Sequence, residues 1–530
     1  MKVLIICTEK LPVPPIRGGA IQTYIAGSVP ELSKNHDITI LGITDPSLPE
    51  TETKDGIHYV RVPGKLLEIY REGVVNYIKD QSFDLIHIFN RPRLVSPVRE
   101  VAPQSRIVLS MHNDMFKRDK IEPEEAKVAI SQVDKIITIS NYIGQAIIEL
   151  YPEAEPKLQT IYSGVDLERF VPAYTEKGKK IKDVVRRAHN LEGKKVILFA
   201  GRLSPNKGAD VLVRAIPELE KKHPNIALVI VGSKWFSTNE ITDYVAYVRA
   251  LADRLSVPVI TTGFVSPDEI QYWFVASDIF VCPSQWQEPL ARVHYEAMAA
   301  GLPIITTARG GNPEVIEINK NGFVVENPED PTEFANYISQ LISSPNLCKE
   351  LGQYGRKLAE EKYNWNRVVN NISSVWEEME DKMKNNAPIG SDNAVKEENE
   401  EIIDLASKTT EDLPLEFTQE KNEEIAETIE QVELNDLEEM DEAKEENDEG
   451  VEEEAEVIEE IEEVDKEETN NDEVVEEVEG VTEETEVVEE VEEIVPKKKI
   501  FVCHDNPPAK PWFKIKVEKR KRGRKNRKRK

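Results

Sequence analysis

Cysteine is scarce in this chain, and the cysteines that occur stand far apart. Cys7, Cys282, Cys348 and Cys503 are the only four in 530 residues, with no CxxC pair and no metal-ligand spacing to histidine. Disulfide-stabilised secreted domains and zinc modules both need clustered cysteines, so the sequence excludes these classes. The scattered thiols indicate a reducing compartment.

Long apolar runs are also missing. No segment approaches the roughly 20 consecutive apolar residues that span a bilayer. The apolar run at residues 3–7 is too short for the core of a signal peptide and is typical of a first strand. We therefore predict a soluble, cytoplasmic protein without a transmembrane segment.

Positive charge is nearly absent from a long stretch near the carboxyl end. Residues 396–495 hold 46 Asp and Glu against 5 Lys, whereas residues 497–530 hold 16 Lys and Arg against 2 acids. Of the chain's net charge of −32, residues 1–395 carry only −5. A segment so rich in like charge cannot bury enough apolar surface to fold. We predict a disordered acidic tail at 386–495 and a basic tail at 496–530 that binds polyanions or the acidic stretch.

The rest of the chain alternates between short apolar runs and stretches with helical spacing. Continuous apolar runs predict strands covered on both faces, and helices between them predict parallel sheets. Helical spacing occurs, for example, at 20–34 and 65–79. The pattern predicts an α/β protein with two doubly wound Rossmann-like domains at 1–170 and 190–360. The predicted strands lie at 2–7, 37–43, 84–89, 106–111, 134–140, 195–200, 226–231, 259–262, 278–282, 303–307 and 322–325.

The most informative segment is EPLARVHYEAMAAGLP, which starts at Glu288. Pro289 suits the first turn of a helix and Gly301 its carboxyl end, so we predict a helix entered directly after Glu288. Glu296 then lies two turns from Glu288, roughly 12 Å along the axis. Two such carboxylates can accept hydrogen bonds from both ends of a sugar nucleotide, with the helix amino terminus facing its diphosphate. Alternatively, Glu288 is a helix cap and Glu296 a surface residue.

Several motifs carry a resemblance to a known family. The pattern E-x7-E followed by EAMAAGLPIITTARGGNPEV resembles the retaining glycosyltransferases of family 4, in which two Rossmann-like domains face a central cleft, the GT-B fold. Further motifs follow the family's order at residues 17–19, 163–166 and 201–208. The amino-acid sequences of several segments are also similar to those of spore coat glycosyltransferases of endospore-forming bacteria.

The resemblance implies a hexosyltransferase that moves a sugar from a nucleoside-diphosphate sugar to an unknown glycan, lipid or protein acceptor. It implies retention of configuration, no cofactor and no catalytic metal; residues 1–395 contain no Asp-x-Asp triplet. The amino-terminal domain would face the acceptor, and a helix at 361–385 would return to it. The resemblance further implies a role in spore coat or cell-envelope glycan assembly, with coat proteins as partners of the tail. A structural coat protein without turnover and a sugar-nucleotide epimerase remain alternatives.

The family's donor contacts fall on charged residues of the second domain. The resemblance implies that Arg202 and Lys207 hold the diphosphate, Glu288 the transferred sugar and Glu296 the ribose hydroxyls. Breaking the bond from the anomeric carbon to phosphate leaves growing negative charge on the diphosphate, which fixed cations can stabilise. Taken alone, Arg202 and Lys207 also fit a solvated loop, because their spacing is short and common.

Leu290 and Ala291 are predicted to line the donor site. Ala291 stands where the family usually has glycine, so we expect its methyl group to narrow the sugar pocket. Gly18 and Gly19 allow close approach of the backbone to phosphate or acceptor, although such a pair ordinarily means only a flexible turn.

His112 matches the family's first-domain active-site histidine near the transferred sugar. A hydrogen-bonded loop histidine is its alternative reading. Asp114 is a weaker candidate, because Asn113 stands where the family commonly has aspartate. His294 lies about 200° around the predicted helix from Glu296, so we expect it to pack rather than react.

Overall fold

The structure is a computed structural model that describes residues 1–234 and 241–390. The predicted basic tail and all but the first five residues of the predicted acidic tail lie outside the described residues. Within the described ranges, no helix combines the length and the apolar character that crossing a membrane requires.

The amino-terminal domain is an α/β layer structure whose buried sheet lies between helices. Its strands are β1 (Lys2–Ile6), β2 (Asp37–Ile43), β3 (Thr51–Lys54), β4 (Ile57–Val62), β5 (Leu85–Phe89), β6 (Arg106–Met111), β7 (Lys135–Thr138) and β8 (Leu158–Thr160). Its helices are α1 (Ala20–Leu32), α2 (Leu67–Ile78), α3 (Val95–Val101), α4 (Pro123–Gln132) and α5 (Asn141–Leu150). The sheet order is β3-β4-β2-β1-β5-β6-β7-β8, and only the β3–β4 pair is antiparallel.

The carboxyl-terminal domain repeats this architecture with an all-parallel sheet. Its strands are β9 (Lys195–Ala200), β10 (Ile226–Val231), β11 (Val259–Thr261), β12 (Ile279–Cys282), β13 (Ile304–Thr307) and β14 (Gly322–Val325), in the order β11-β10-β9-β12-β13-β14. The helices are α6 (Glu176–Ala188), α7 (Ala209–Lys222), α8 (Asp243–Ala252), α9 (Ile270–Ala276), α10 (Val293–Ala299), α11 (Pro331–Ser343), α12 (Pro345–Lys362) and α13 (Trp365–Lys384).

The predicted fold class is confirmed, and every predicted strand is present. The three strands that the sequence did not reveal are β3, β4 and β8. Two of these lie at the edges of the sheet, where β3 reads TETK and β8 reads LQT, so neither shows an apolar run. The segment between the two predicted domains contains the helix α6.

The last helix, α13, packs on the amino-terminal domain although it follows the second domain in the chain. Trp376 is fully buried there, and its indole Nε1 donates to His87 Nδ1 on β5 over 3.3 Å. Lys135 on β7 pairs with Glu378 at 3.1 Å. The helix therefore packs into the hydrophobic core of the amino-terminal domain. The residues of α13 in that core are Val368, Ile372, Val375, Trp376 and Met379.

Ordered contacts continue five residues past the predicted start of the tail at residue 386. The Arg106 guanidinium donates to the carbonyl oxygens of Ala387 and Pro388 at 2.5 and 3.0 Å. Lys157 Nζ donates to the carbonyl oxygen of Gly390 at 2.6 Å. Residues 386–390 are therefore part of the amino-terminal domain surface.

Candidate active site

The candidate site lies where neighbouring strands of the second sheet end. The loops after β9, β12 and β13 meet at this edge, because these strands are adjacent in the sheet. Gln285 N donates to the Asn206 carbonyl, and Gly311 N donates to the Glu288 carbonyl, both over 2.8 Å. Gly310 has a φ of +58°, and a Cβ there would lie 2.0 Å from the Glu288 carbonyl oxygen. Only glycine permits so close an approach of the loop after β13 to the loop after β12.

Lys207 and Glu288 form the central ion pair of this site. Lys207 Nζ lies 2.5 and 2.6 Å from the two carboxylate oxygens of Glu288. The side chains are only 16% and 8% exposed, respectively. Ser284 Oγ and Trp286 Nε1 also donate to Glu288 Oε2, at 2.8 and 2.9 Å. Lys207 is therefore not in a solvated loop, the alternative that the sequence left open.

The environment of Glu288 keeps its carboxyl group ionised. Burial by itself opposes ionisation, but the Lys207 ammonium and the hydrogen bonds from Ser284 and Trp286 outweigh it. The pKa of Glu288 consequently lies below its ordinary value. Glu288 does not cap a helix either, because the next helix begins only at Val293 and has no side-chain cap.

The predicted helix from Pro289 onward is wrong in its first turn. The chain from Pro289 to Ala291 is irregular, and α10 begins at Val293. A contact with another loop takes the place of the first helical bond: the Glu288 carbonyl, which would accept the Arg292 N–H in a helix that starts at Pro289, accepts the Gly311 N–H at 2.8 Å. The distance of roughly 12 Å along one axis from Glu288 to Glu296 therefore does not apply.

Glu296 is nearly buried and pairs with Arg292. Arg292 donates to Glu296 Oε1 at 3.3 Å, one turn along the chain. The same guanidinium donates to Ser163 Oγ at 3.1 Å and to the Gly164 carbonyl at 3.3 Å, in the segment between the domains. Glu296 is thus not an exposed surface residue, and Arg292 connects its helix to the domain junction.

Arg202 follows β9 in the same loop as Lys207 and is half-buried. The Leu203 N–H donates to the Ser233 carbonyl at 2.8 Å, which holds this loop against the segment after β10. Both predicted diphosphate ligands therefore occupy one loop, and Lys207 contacts the loop after β12.

His112 lies after β6 in the amino-terminal domain. Its ring packs edge-on against Tyr24, with centroids 4.9 Å apart. Burial and the nearby positive charge of Arg292 lower the pKa of His112 to about 3, so the imidazole is neutral. Arg292 belongs to the second domain, so the two domains approach each other at these residues.

Asn90 holds the loop that carries His112. Its side-chain Oδ1 accepts the backbone N–H groups of His112 and Asn113 at 3.0 and 2.9 Å. Asn90 is buried and adopts a φ of +58°, a conformation that asparagine tolerates better than most residues. The asparagine fixes the direction in which the loop leaves the sheet.

The remaining predicted residues have mainly structural contacts. Leu290 and Ala291 are buried in the apolar core of the second domain. Gly18 and Gly19 both have positive φ, and a Cβ at Gly19 would lie 2.2 Å from Gln22 Oε1. Gln22 is itself buried and donates to Thr8 and to the Leu11 carbonyl, so Gly19 is needed for the local turn.

His294 and Asp114 also have structural partners. His294 is fully buried, its Nδ1 donates to the Ala291 carbonyl, and its Nε2 accepts from Thr306, both at 2.8 Å. Packing of His294 was the sequence-based expectation. Asp114 pairs with Lys117 at 2.8 Å on its own loop and accepts weakly from Tyr142.

Glu314 joins the two domains and was not singled out from the sequence. Its carboxylate accepts the backbone N–H groups of Asn141 and Tyr142, at the start of α5, at 2.8 and 2.7 Å. The Tyr162 hydroxyl donates to it at 2.8 Å. A carboxylate from the second domain thus caps a helix of the first.

Comparison with known proteins agrees with this architecture. The family Glycosyltransferase Family 4 matches residues 18–169, and the family Glycosyl transferases group 1 matches residues 181–358. Spore coat protein SA of Bacillus subtilis is 46% identical over 377 residues, which cover 71% of this chain and 99% of that protein.

Solved structures share the fold at lower identity. HepE from Anabaena, crystallised with UDP and glucose, superposes with a TM-score of 0.58 at 21% identity over 71% of this chain and 99% of its own. Sucrose-phosphate synthase from Thermosynechococcus elongatus gives 0.60 at 19% identity over 71% and 98%. With its family 4 amino-terminal domain and group 1 carboxyl-terminal domain, the chain belongs to the GT-B glycosyltransferases.

Proposed function

We propose that this glycosyltransferase moves a hexose from a nucleoside-diphosphate sugar to an acceptor hydroxyl, with retention and without a metal ion. The observation that carries the proposal is the buried Lys207–Glu288 pair at the carboxyl ends of the second sheet. A buried cation held by one carboxylate can exchange partners when a diphosphate enters. The bound UDP and glucose of HepE support a nucleotide-sugar donor for this fold.

In the proposed complex, the diphosphate lies between the loops after β9 and β12. Lys207 and Arg202 approach its oxygens, and Glu288, released from Lys207, accepts hydroxyl hydrogen bonds from the sugar. Glu296 accepts from the ribose hydroxyls. Support comes from the burial of both carboxylates, because buried acceptors gain most from a ligand's hydroxyl donors.

The proposed reaction breaks the bond between the anomeric carbon and the phosphate oxygen, and the electron pair leaves with the diphosphate. The acceptor hydroxyl bonds to the same face of the anomeric carbon and gives its proton to the departing phosphate oxygen. Fixed cations that stabilise this oxygen replace a metal ion in the proposal. The neutral imidazole of His112 suits hydrogen bonding to a sugar hydroxyl better than a charge would.

The name of the B. subtilis relative supports a setting in the spore coat, so we place the acceptor among coat or envelope glycans. Purified full-length protein would be incubated with UDP, GDP and ADP sugars while nucleoside diphosphate release and sugar transfer are followed. Release of one nucleoside diphosphate is the expected result, and it should persist in the presence of EDTA. A protein that neither binds nor consumes any donor would instead be a coat scaffold, and an isomerised donor without transfer would identify an epimerase.

A further inference from the structure

A groove of about 510 Å³ opens in the amino-terminal domain, at the carboxyl ends of β1 and β5. Residues that follow β1, β5 and β6 line it, and α2 closes one side with Leu67. Leu67, Pro92 and Met115 supply apolar surface. This combination of strand ends and apolar walls is typical of ligand sites in open α/β sheets.

Positively charged side chains outnumber negatively charged ones in the lining of the groove. Four cations, Lys10, Arg91, Arg93 and Lys120, line it together with a single carboxylate, Glu9. Arg91 holds that carboxylate with two parallel hydrogen bonds of 2.5 and 2.7 Å, and both side chains are buried. The only acid of the lining is therefore already neutralised by one of its four cations.

The other three cations are open to solvent, and each has one carboxylate partner within 3.5 Å. Lys10, Arg93 and Lys120 have side chains that are 55%, 40% and 51% exposed. Lys10 lies 3.5 Å from the already occupied Glu9 and also donates to a backbone carbonyl, and Arg93 lies 3.4 Å from the carboxylate of Glu125. Lys120 pairs with Asp119 at 2.9 Å, where both side chains are exposed. Exposed pairs of this kind are weak, so a bound anion can replace them.

The groove borders the loop that carries His112. Asn113 lines the groove, and the preceding residue is His112. Asn90 also lines the groove and binds the backbone of both residues. A ligand in the groove therefore contacts the same loop that would meet the transferred sugar.

We propose that this groove binds the acceptor and that the acceptor carries a phosphate or carboxylate group. The inference rests on the proposed function, since it needs a donor on the other side of His112. Lys10, Arg93 and Lys120 bind the anionic group, and the apolar walls bind the body of a saccharide or its aliphatic substituent. A neutral acceptor would leave Lys10, Arg93 and Lys120 with only their present carboxylate partners.

The test compares matched acceptors with the full-length protein and whichever donor it consumes. Glucose would be compared with glucose 6-phosphate, with glucuronate and with phosphatidylglycerol vesicles, which separates free phosphate, carboxylate and lipid phosphate. The variants are Lys10→Gln, Arg93→Gln and Lys120→Gln. Lys34→Gln is the control, because Lys34 is likewise exposed and paired but lies at the end of α1, outside the groove lining.

The expected result is a preference for an anionic acceptor, with KM for it raised about tenfold by a groove variant, the size of one lost charge-assisted contact. The KM for the donor and kcat should stay near wild type, and added salt should raise the acceptor KM. Equal use of glucose and its anionic analogues, or an acceptor KM that no groove variant changes, would overturn the inference. If no donor is consumed at all, the proposed function fails instead, so the two failures are distinguishable.

Discussion

Replacing Lys207 with methionine tests the energetics of the buried pair. The substitution keeps most of the volume of the side chain but leaves the Glu288 carboxylate, 8% exposed, with only Ser284 and Trp286 as donors. Removing one partner of a buried ion pair costs about 3–5 kcal/mol. Because two hydrogen bonds to the carboxylate remain, we expect a loss near the lower end, about 3 kcal/mol.

Differential scanning calorimetry measures this effect. For a domain of this size, about 3 kcal/mol corresponds to a fall in Tm of roughly 6–12 °C. Glu288→Gln alone should cost less, because the remaining ammonium is the more exposed partner. The double variant should be more stable than the sum of the single losses indicates, since the two residues act as a pair.

The pH dependence gives a second, independent check. In the wild type the lowered pKa of Glu288 means that its contribution is present above the unfolded pKa, near 4.5, and is lost as the pH falls through the folded pKa. Without Lys207, burial is less opposed and the pKa of Glu288 rises. The Tm deficit of Lys207→Met should therefore be full at pH 7 and shrink below pH 4.5. A Tm equal to that of wild type, or a deficit that does not vary with pH, would refute this reasoning.

Three further outcomes are expected. Glu314→Gln places an amide against backbone donors of α5, so the domain contact weakens and the ratio of donor hydrolysis to transfer should rise several-fold; an unchanged ratio would remove Glu314 from closure. Deleting residues 391–530 should leave turnover on a soluble acceptor unchanged, whereas also removing 386–390 should lower the Tm through loss of the contacts to Arg106 and Lys157. Because the pKa of His112 is about 3, kcat/KM should show no histidine limb between about pH 5.5 and 8, and such a limb that disappears in His112→Gln would contradict the assignment.

Hydrophobic patterns in the sequence predicted the fold well, because strands of a buried parallel sheet consist of continuous apolar residues. The strand β1, for example, is almost entirely buried and reads KVLII. The same rule could not find β3, whose side chains TETK are mostly exposed and which is defined by pairing with β4. The start of α10 was missed for a related reason, since Gly311, distant in sequence, donates its N–H to the Glu288 carbonyl that would begin the helix.

The main charged residues of the candidate site were predictable from the sequence. The residues that position its loops and join the domains were not. The family resemblance named Lys207 and Glu288, and the structure brings them into contact. Arg292 was within the same segment, and its spacing of four residues from Glu296 was a usable signal. Asn90 and Glu314 carried no such signal, because each acts on backbone N–H groups of residues far away in the chain.

Titration calorimetry with a nucleoside diphosphate and its sugar, for the base that the donor panel selects, tests the central claim most directly. Lys207→Met should weaken both ligands about tenfold or more, since both carry the diphosphate. Glu296→Gln should also weaken both ligands, through the ribose, whereas Glu288→Gln should weaken the nucleotide sugar far more than the nucleoside diphosphate. Wild-type affinity of Lys207→Met for the nucleoside diphosphate would contradict the account.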